Sequence, residues 1–543
     1  VPILVVLGNP PYSVSSENKS DFIEGLMDDY KEDVKEERNI QPLSDDYIKF
    51  IRFAHWKVEQ AGKGILGFIS NNSYLSGVIH RGMRRKLLET FDEIYILNLH
   101  GSSRIGERTP EGGKDENVFD IQQGVTIALY VKPEEPYKEK RVYYADLWGQ
   151  RKETKYPYLL KNDVETTKWR ELKPAALYYF FVPKDFALQE VYERFWKVTE
   201  IFKFHNVGGK PGDDKFLVAF DPSSLVSQVI GTETEIRLGT AKMTEAKKNF
   251  NKILSRFGLD REKIIQYNYR PFDIRFTYYD TGIFCRAVPK LWQQVRLGNP
   301  SLITSKIIKE GEFAHAFVSE FLSDVIYLSP KSATNAFVFP LYSYPSEPQE
   351  RLITGGILEA ERISNFADKF LQAVKESLGT DPTPEEIFYY IYAVLYSPTY
   401  RKRYEEFLKI DFPRIPLPAN YELFKALSNL GKELVDLHLL KHPALQQTEI
   451  GFPESGSNTM EKVHYDEEAQ RVYINKDQCF EDISKEVWEY RIGAYQVMEK
   501  YLKDRKGRKL SLDEVNHYMK VAKAICLTIE LQLKVDEAYA RID

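Results

Sequence analysis

The stretch Val-Pro-Ile-Leu-Val-Val-Leu-Gly-Asn-Pro-Pro-Tyr, residues 1–12, decides how the first part of the chain folds. Residues 1–7 are mainly β-branched or aliphatic, which predicts a strand buried on both faces. Gly8 ends the run, and two consecutive prolines prevent both helix formation and strand pairing. The strand therefore delivers Asn9, the Pro10 carbonyl and the Tyr12 ring to the carboxyl edge of a sheet, where open α/β sheets bind ligands. The alternative is an ordinary Pro-Pro turn with a surface tyrosine.

Residues 7–12 resemble the catalytic motif of amino-group DNA methyltransferases of the adenine-N6 class. The resemblance implies that the Asn9 side-chain oxygen and the Pro10 carbonyl hold both hydrogens of the adenine amino group. Two such acceptors offset the positive charge that develops on the nitrogen as the methyl group arrives. Tyr12 is expected to stack on the base after it has flipped out of the duplex. The implied methyl donor is S-adenosylmethionine.

Composition describes a globular chain of 543 residues, 43% hydrophobic and 29% charged, with a net charge of −5. No apolar run approaches the ~20 residues of a membrane span. The three cysteines are far apart, and among the histidines only His438 and His442 have a ligand-like spacing, without a third ligand, so we predict a reducing, cytoplasmic protein without a metal site. The net charge neither supports nor excludes a locally basic cleft.

The pattern along the chain predicts three domains. Strands and helices alternate over residues 1–132, which indicates the carboxyl-terminal half of an α/β, Rossmann-like methyltransferase sheet. Residues 133–345 show short β-like runs, turns and a few helices, as in a mixed α+β target-recognition domain. Residues 346–543 are predicted to be a mainly helical specificity region, including one long helix over 486–505 and another beginning at the capping box Ser511–Glu514.

A G-x-G-x-x-G pattern occurs at Gly62, Gly64 and Gly67. A phosphate-binding turn of this kind follows a strand and opens a helix, whereas this one follows a predicted helix and enters a strand. We therefore reject it as a cofactor loop. In the resembled family the S-adenosylmethionine loop precedes the Asn-Pro-Pro-Tyr motif, so the first three strands of the sheet are expected outside this chain. The chain is then either a fragment of a longer enzyme or one half of a split gene.

Other polar and aromatic residues are candidates for the same edge. Asn71 and Asn72 leave the next predicted strand there and could line the site, or could simply form a strand-to-helix turn. Asn117-Val-Phe119, followed by an apolar strand, resembles the late motif that supplies a second aromatic ring for the flipped base, which makes Phe119 a candidate. The intervening loop, residues 101–116, is either functional or mobile.

Downstream stretches resemble type ISP restriction–modification enzymes, single chains that carry nuclease, helicase-like ATPase, methyltransferase and target-recognition parts. The matching stretches are residues 119–124, 269–275, 407–416, 471–475 and 501–507. The resemblance implies double-stranded DNA as partner and the other segments of such a parent chain as neighbours. It identifies no chemistry beyond the Asn-Pro-Pro-Tyr motif.

Residues 261–309 are strongly basic within an acidic chain, and tyrosines lie between the cations. Such a mixture suits phosphate binding and base reading by arginine. The predicted DNA-binding residues are Arg270, Arg275, Arg286, Lys290 and Arg296. In the alternative, Arg270 and Arg275 pair internally with Asp273 and Asp280.

Three functions follow from these patterns. The first is adenine-N6 DNA methylation with sequence-specific recognition. The second is a DNA-binding specificity module without catalysis of its own, because the methyl-donor loop is missing. The third is methylation of protein glutamine, which uses the same motif, although the large downstream region argues against it.

Overall fold

The computed structural model describes the chain except residues 1–2, 13–15, 38–39, 105, 238–243, 310, 331, 333, 345–361 and 543, and the side chains of 232–237. The chain forms two compact units, Val1–Asp185 and Phe186–Asp543. The predicted boundary at residue 132 lies inside the first unit. The predicted boundary at 345 lies at the start of a stretch outside the described residues.

The first unit alternates strands and helices, as the sequence pattern predicts. Its strands are β1 Val5–Gly8, β2 Gly64–Asn71, β3 Glu93–His100, β4 Val125–Lys132, β5 Arg141–Asp146 and β6 Arg170–Leu172. Its α-helices are α1 Asp21–Lys31, α2 Asp46–Ala61, α3 Ser73–Ser76, α4 Arg81–Thr90 and α5 Tyr156–Lys161. Asp45 caps α2 by accepting a hydrogen bond from Tyr47 N. Gly62 ends α2 in a left-handed conformation, which glycine adopts without strain.

The six strands form one mixed sheet in the order β1-β2-β4-β3-β5-β6. β1 is parallel to β2, β3 is parallel to β5, and β4 is antiparallel to both β2 and β3. Consequently β1, β2, β3 and β5 all end at the same edge of the sheet. β5 and β6 extend this sheet past residue 132, because the charged segment after β4 is a connection within the sheet and not a linker.

The burial of β1 differs from the prediction. Val5 is 54% exposed and Leu7 is 70% exposed, because β1 is the edge strand of the described sheet and pairs only with β2. An edge strand with exposed apolar side chains has unpaired backbone groups along one side, where a further strand can pair with it.

The core of the first unit lies on both faces of the sheet. On one face α1, α2 and α4 pack over Leu66, Ile94 and Ile96, and on the other a smaller cluster contains Leu97 and Leu99. This alternation along β3 follows from the two-residue period of a strand.

The second unit is mixed, with helices concentrated in its carboxyl-terminal half. Its helices are α6 Gln189–Glu193, α7 Val198–Ile201, α8 Asp214–Leu217, α9 Pro222–Arg237, α10 Glu245–Phe257, α11 Pro289–Val295, α12 Asp368–Leu378, α13 Pro384–Tyr396, α14 Pro398–Arg403, α15 Glu405–Leu408, α16 Tyr421–His438, α17 Lys485–Glu489, α18 Val497–Lys503 and α19 Leu512–Tyr539. Its strands are β7 Trp196–Lys197, β8 Asn206–Val207, β9 Val218–Ala219, β10 Ile264–Arg270, β11 Asp273–Tyr278, β12 Ser301–Ser305, β13 Ala316–Ser319, β14 Leu322–Ser323, β15 Ala336–Pro340, β16 Tyr342–Ser343, β17 Ile363–Ser364, β18 Arg414–Ile415, β19 His464–Asp466, β20 Arg471–Tyr473, β21 Cys479–Phe480, β22 Arg491–Ile492 and β23 Tyr495–Gln496.

Two four-stranded sheets organise the first half of this unit, in the orders β14-β10-β11-β9 and β13-β12-β15-β8. The predicted capping box Ser511–Glu514 opens α19. The single helix predicted over 486–505 is wrong: α17 and α18 are separated by the β22–β23 hairpin, whose Gly493 has a φ of 61°. Within the described residues, no helix is long and apolar enough to cross a membrane.

Candidate functional site

The end of β1 presents the Asn-Pro-Pro-Tyr motif at the carboxyl edge of the first sheet. Asn9 is exposed and Pro10 is buried. The Tyr12 hydroxyl donates to Asn9 Oδ1 at 3.4 Å, the long limit of a hydrogen bond, so this oxygen remains a usable acceptor. Gly8 lies close to Phe68, since a Cβ at Gly8 would be 3.2 Å from the Phe68 ring.

Tyr12 is half-buried and packs edge-on against Tyr47 of α2, with ring centroids 6.1 Å apart. Burial and the nearby Asp45 carboxylate raise the pKa of Tyr12 to about 12. The phenol is therefore neutral at physiological pH and serves as a ring surface and hydrogen-bond donor, not as a base.

Asn71 and Asn72 lie at the same edge, at the end of β2. Asn71 Oδ1 accepts hydrogen bonds from Ser73 N and Ser73 Oγ at 2.9 and 2.7 Å. Asn72 Nδ2 donates to Asn98 Oδ1 at 3.0 Å. Asn71 thus shapes the strand-to-helix turn, which is the alternative given for these residues, and Asn72 links that turn to β3.

A buried histidine that the sequence reasoning missed ends β3. His100 lies between two carboxylates, with Nδ1 2.8 Å from Glu107 Oε1 and Nε2 2.7 Å from Asp146 Oδ1. Its ring stacks on Trp148, and its φ of 52° is unusual for a non-glycine residue. Burial lowers the pKa of His100, but the hydrogen bonds to Asp146 and Glu107 raise it by more, so the net shift is upward.

The loop from Gly101 to Gly124 is fastened to the sheet. Asn117 Nδ2 donates to the carbonyls of Gly101 and Gln123, and Asn117 Oδ1 accepts from Phe119 N. Lys155, fully buried, forms an ion pair of 2.8 Å with Asp115 in the same loop. These contacts give the loop a defined path.

Phe119 is partly buried against the cluster that contains Leu97 and Leu99, whereas Tyr12 packs against the cluster on the opposite face of the sheet. The structure does not place these two rings in contact. A role for Phe119 at the flipped base stays a prediction.

The G-x-G-x-x-G pattern spans the end of α2 and the first half of β2. Gly67 packs within the sheet, where a Cβ would be 2.6 Å from Leu7 Cδ2. This position does not fit a phosphate-binding turn, so these glycines are not assigned to S-adenosylmethionine. No cluster of metal-ligating side chains was found among the described residues.

In the second unit, two of the predicted DNA-binding arginines are buried. Arg270 lies 3.3 Å from Asp324 and stacks on Tyr269. Arg275 binds Asp273 at 2.7 Å, as in the alternative considered above, although Arg270 pairs with Asp324 and not with Asp280. Both guanidinium groups are thus engaged by carboxylates of the protein.

The other three predicted residues, Arg286, Lys290 and Arg296, are exposed. Lys290 is in α11, and the other two flank that helix. None of the three forms an ion pair with an acid in the described part of the chain. They are the members of the predicted set that are open to a ligand.

Two protein-family models match the chain, one within the first unit and one within the second. Residues 4–105 match the family model described as Eco57I restriction-modification methylase, and residues 200–530 match that of the type ISP C-terminal specificity domain. No curated protein sequence matches the chain.

Three solved structures are similar to the chain over nearly its whole length. They are the ATP-dependent type ISP restriction-modification enzyme LlaBIII bound to DNA (TM-score 0.76, 21% identity, 98% of this chain), the DrdV–DNA complex (0.76, 22%, 99%) and a nuclease-deletion mutant of the type ISP enzyme LlaGI with a DNA substrate mimic (0.74, 21%, 98%).

The chain spans only 37%, 57% and 53% of those three chains, respectively, and at this identity the similarity shows the fold. The family is shown by the specificity-domain match, which extends over more than half of the sequence. The chain belongs to the family of type ISP C-terminal specificity domains and carries, in front of that domain, a region that matches the Eco57I restriction-modification methylase model.

Proposed function

We propose that the chain is the carboxyl-terminal portion of a restriction–modification enzyme that methylates adenine N6 in double-stranded DNA and recognises the target sequence. The observation that carries the proposal is the position of Asn9 and Pro10 at the end of a parallel strand, within a region that matches a methylase family. Ligand sites of open α/β sheets gather at this edge.

Asn9 Oδ1 and the Pro10 carbonyl act as acceptors for the amino group of the target adenine. The amino nitrogen is a poor nucleophile because its lone pair is delocalised into the ring, and two fixed acceptors favour a more tetrahedral nitrogen. Asn9 is suited to this role because the weak hydrogen bond from Tyr12 is easily exchanged for a substrate N–H. S-adenosylmethionine supplies the methyl group.

Tyr12 offers a ring face to a base that has left the duplex, and its neutral phenol avoids placing a negative charge beside the base. Phe119 is the candidate for a second ring, which requires the base to approach from the side of the 101–124 loop. The two rings need not touch each other in the absence of the base.

The methyl donor is proposed to bind mainly to strands outside this chain. The open edge of β1, with Val5 and Leu7 exposed, fits a neighbouring strand that would cover the apolar side chains and complete the sheet. We assign that strand to a methyltransferase segment of the parent protein, alongside its helicase and nuclease segments.

The test is methyl transfer from labelled S-adenosylmethionine to duplex DNA by the parent enzyme carrying Asn9→Ala. We expect loss of transfer to DNA with retained DNA binding. Asn18→Ala is the matched control, because its side chain is exposed and its described hydrogen bonds use backbone atoms. Normal methylation by Asn9→Ala would contradict the proposal, and label on protein instead of DNA would favour glutamine methylation.

A second candidate is a DNA-binding specificity module that has no catalysis when residues 1–543 are isolated. The observation that favours it is that the glycine pattern of this chain lies in a helix-to-strand junction. Calorimetry of residues 1–543 with S-adenosylmethionine separates the two. Micromolar binding contradicts the non-catalytic module, while DNA binding without cofactor binding supports it.

A further inference from the structure

Lys210 lies in a glycine-rich loop, Gly208–Gly212, that is hydrogen-bonded on both sides. Gly209 N donates to Ser323 O at 2.9 Å, and Gly209 O accepts from Val325 N at 2.8 Å. On the other side, Lys210 and Arg286 exchange both backbone hydrogen bonds, at 3.0 and 3.1 Å. The loop is therefore the middle strand of a short three-strand arrangement.

Close backbone packing fixes this loop further. A Cβ at Gly208 would be 2.6 Å from Ser323 O, and a Cβ at Gly212 would be 2.6 Å from Cys285 Cβ. Gly212 also has a φ of 91°, which side-chain-bearing residues rarely adopt. Glycines at these positions allow the loop to lie directly on its neighbours, so Lys210 projects from a rigid base.

Lys210 and Arg286 are directly opposite each other in an antiparallel bridge. Residues that exchange both hydrogen bonds have Cα atoms about 5.5 Å apart and side chains on the same face. Both side chains are exposed, and neither forms an ion pair with an acid among the residues that the structure describes. The adjacent acids have other partners: Asp213 accepts from Thr244 and Asp214 from Tyr269.

Like charges directly opposite each other destabilise a strand pair. Nothing in the described part of the protein compensates this pair, and Lys290 and Arg296 extend the exposed positive charge along and beyond α11. Because Lys210 and Arg286 are held side by side and neither has an acidic partner in that part of the protein, the two cations can bind two neighbouring anionic groups of one ligand.

We propose that Lys210 and Arg286 form a phosphate clamp that holds two neighbouring backbone phosphates of one strand of duplex DNA. The inference rests on the proposed function, which makes duplex DNA the ligand. The clamp positions the second unit on the duplex and reads no sequence, because phosphates are the same at every base pair.

The first test compares the salt dependence of duplex binding for the chain and for Lys210→Ala/Arg286→Ala. Each lost phosphate contact lowers the slope of log K against log salt by about 0.9, so we expect a loss of about 2 in slope. Affinity should fall equally for cognate and unrelated duplexes. The control, Lys375→Ala/Lys432→Ala, removes the same charge from two exposed lysines that already pair with Asp381 and Asp436.

The second test uses chemical modification of lysines by an amine reagent, because Lys210 is exposed. Bound duplex should protect Lys210 from the reagent. Lys375, which is exposed and lies on α12, serves as the internal reference.

The outcomes separate the two proposals. If the chain binds duplex DNA and the double variant keeps the same slope as the control variant, the clamp is wrong and the proposed function stands. If the chain binds no duplex even at low salt, the proposed function fails together with the clamp. Unprotected Lys210 in a DNA-bound chain also overturns the clamp.

Discussion

Asp273 in β11 binds Arg505, which lies 232 residues further along the chain, with 2.9 Å between Asp273 Oδ1 and Arg505 Nη2. The other carboxylate oxygen accepts from Arg275 Nε and Nη2, at 3.0 and 2.7 Å. Burial raises the pKa of Asp273, but Arg505 and Arg275 lower it by more, to about 2. A fully buried carboxylate thus joins the β10–β11 sheet to the segment that follows α18.

Asp273→Asn should destabilise the second unit strongly. The change removes the charge between Arg275 and Arg505, which keep Asp504 and Glu514, respectively, as partners. Removing one partner of a buried ion pair costs up to about 3–5 kcal/mol. Denaturant unfolding measures the loss. Asp381→Asn breaks an exposed pair with Lys375 and should cost less than about 1 kcal/mol. Equal losses for the two variants would contradict a special role for Asp273.

The burial of Arg270 and Arg275, in the 269–275 stretch, could not be predicted from the sequence. The mixture of arginines and aromatic residues in this stretch is visible in the sequence, but the same residues fit both a DNA-binding surface and a buried ion-pair cluster. The partners Asp324 and Arg505 decide between the two, and both are remote in sequence.

The same reasoning explains the residues that were missed. Lys210 joins Arg286 only through a backbone bridge across 75 intervening residues, counted from 211 to 285. His100 acquires its partners only when β3 and β5 become neighbours. In contrast, the alternation of strands and helices in residues 1–132 depends on local periodicity, and the sequence predicts it. The exposure of β1 depends on whether another strand pairs with its open edge, and the local sequence pattern of β1 carries no information about that.

His100 gives the first unit a pH-dependent stability. Its raised pKa means that its contribution is complete below the unfolded value of about 6.5 and is lost as pH rises through the folded value. Burial raises the pKa of Glu107, but the hydrogen bonds with His100 and Ser102 lower it by more. The net shift is downward, so the contribution of Glu107 to stability is lost as pH falls through the lowered pKa. Stability from the cluster is therefore greatest between about 4.5 and about 6.5.

His100→Gln should flatten this dependence, which is measured as the unfolding midpoint against pH and as hydrogen exchange of residues 101–124. The exposed His464→Gln serves as the control and should leave the profile of the first unit unchanged. A profile for His100→Gln that matches the unmodified chain would rule out the cluster as its source.

Tyr12→Ala and Tyr12→Phe should separate the ring of Tyr12 from its hydroxyl. Stacking of a base on an aromatic ring is worth about 1–3 kcal/mol, so Tyr12→Ala should weaken productive binding of target DNA by about 5- to 150-fold. Tyr12→Phe keeps the ring and removes only the 3.4 Å bond to Asn9, so it should retain most activity. Methylation kinetics of the parent enzyme test this, and a larger defect for Tyr12→Phe than for Tyr12→Ala would contradict a stacking role.

Gly431 allows α13 and α16 to pack in direct backbone contact. A Cβ at Gly431 would be 1.9 Å from the carbonyl oxygen of Tyr389, which the rest of α13 holds in place. Gly431→Ala should therefore separate the helices and lower the free energy of unfolding by about 1–3 kcal/mol, despite the better helix propensity of alanine. Gly231→Ala is the control, because nothing lies within 4 Å of its Cβ position in α9 and it should gain about 0.5–1 kcal/mol. Denaturant unfolding of both variants decides the matter: if Gly431→Ala stabilises the unit as Gly231→Ala does, close contact at Gly431 is not required for packing.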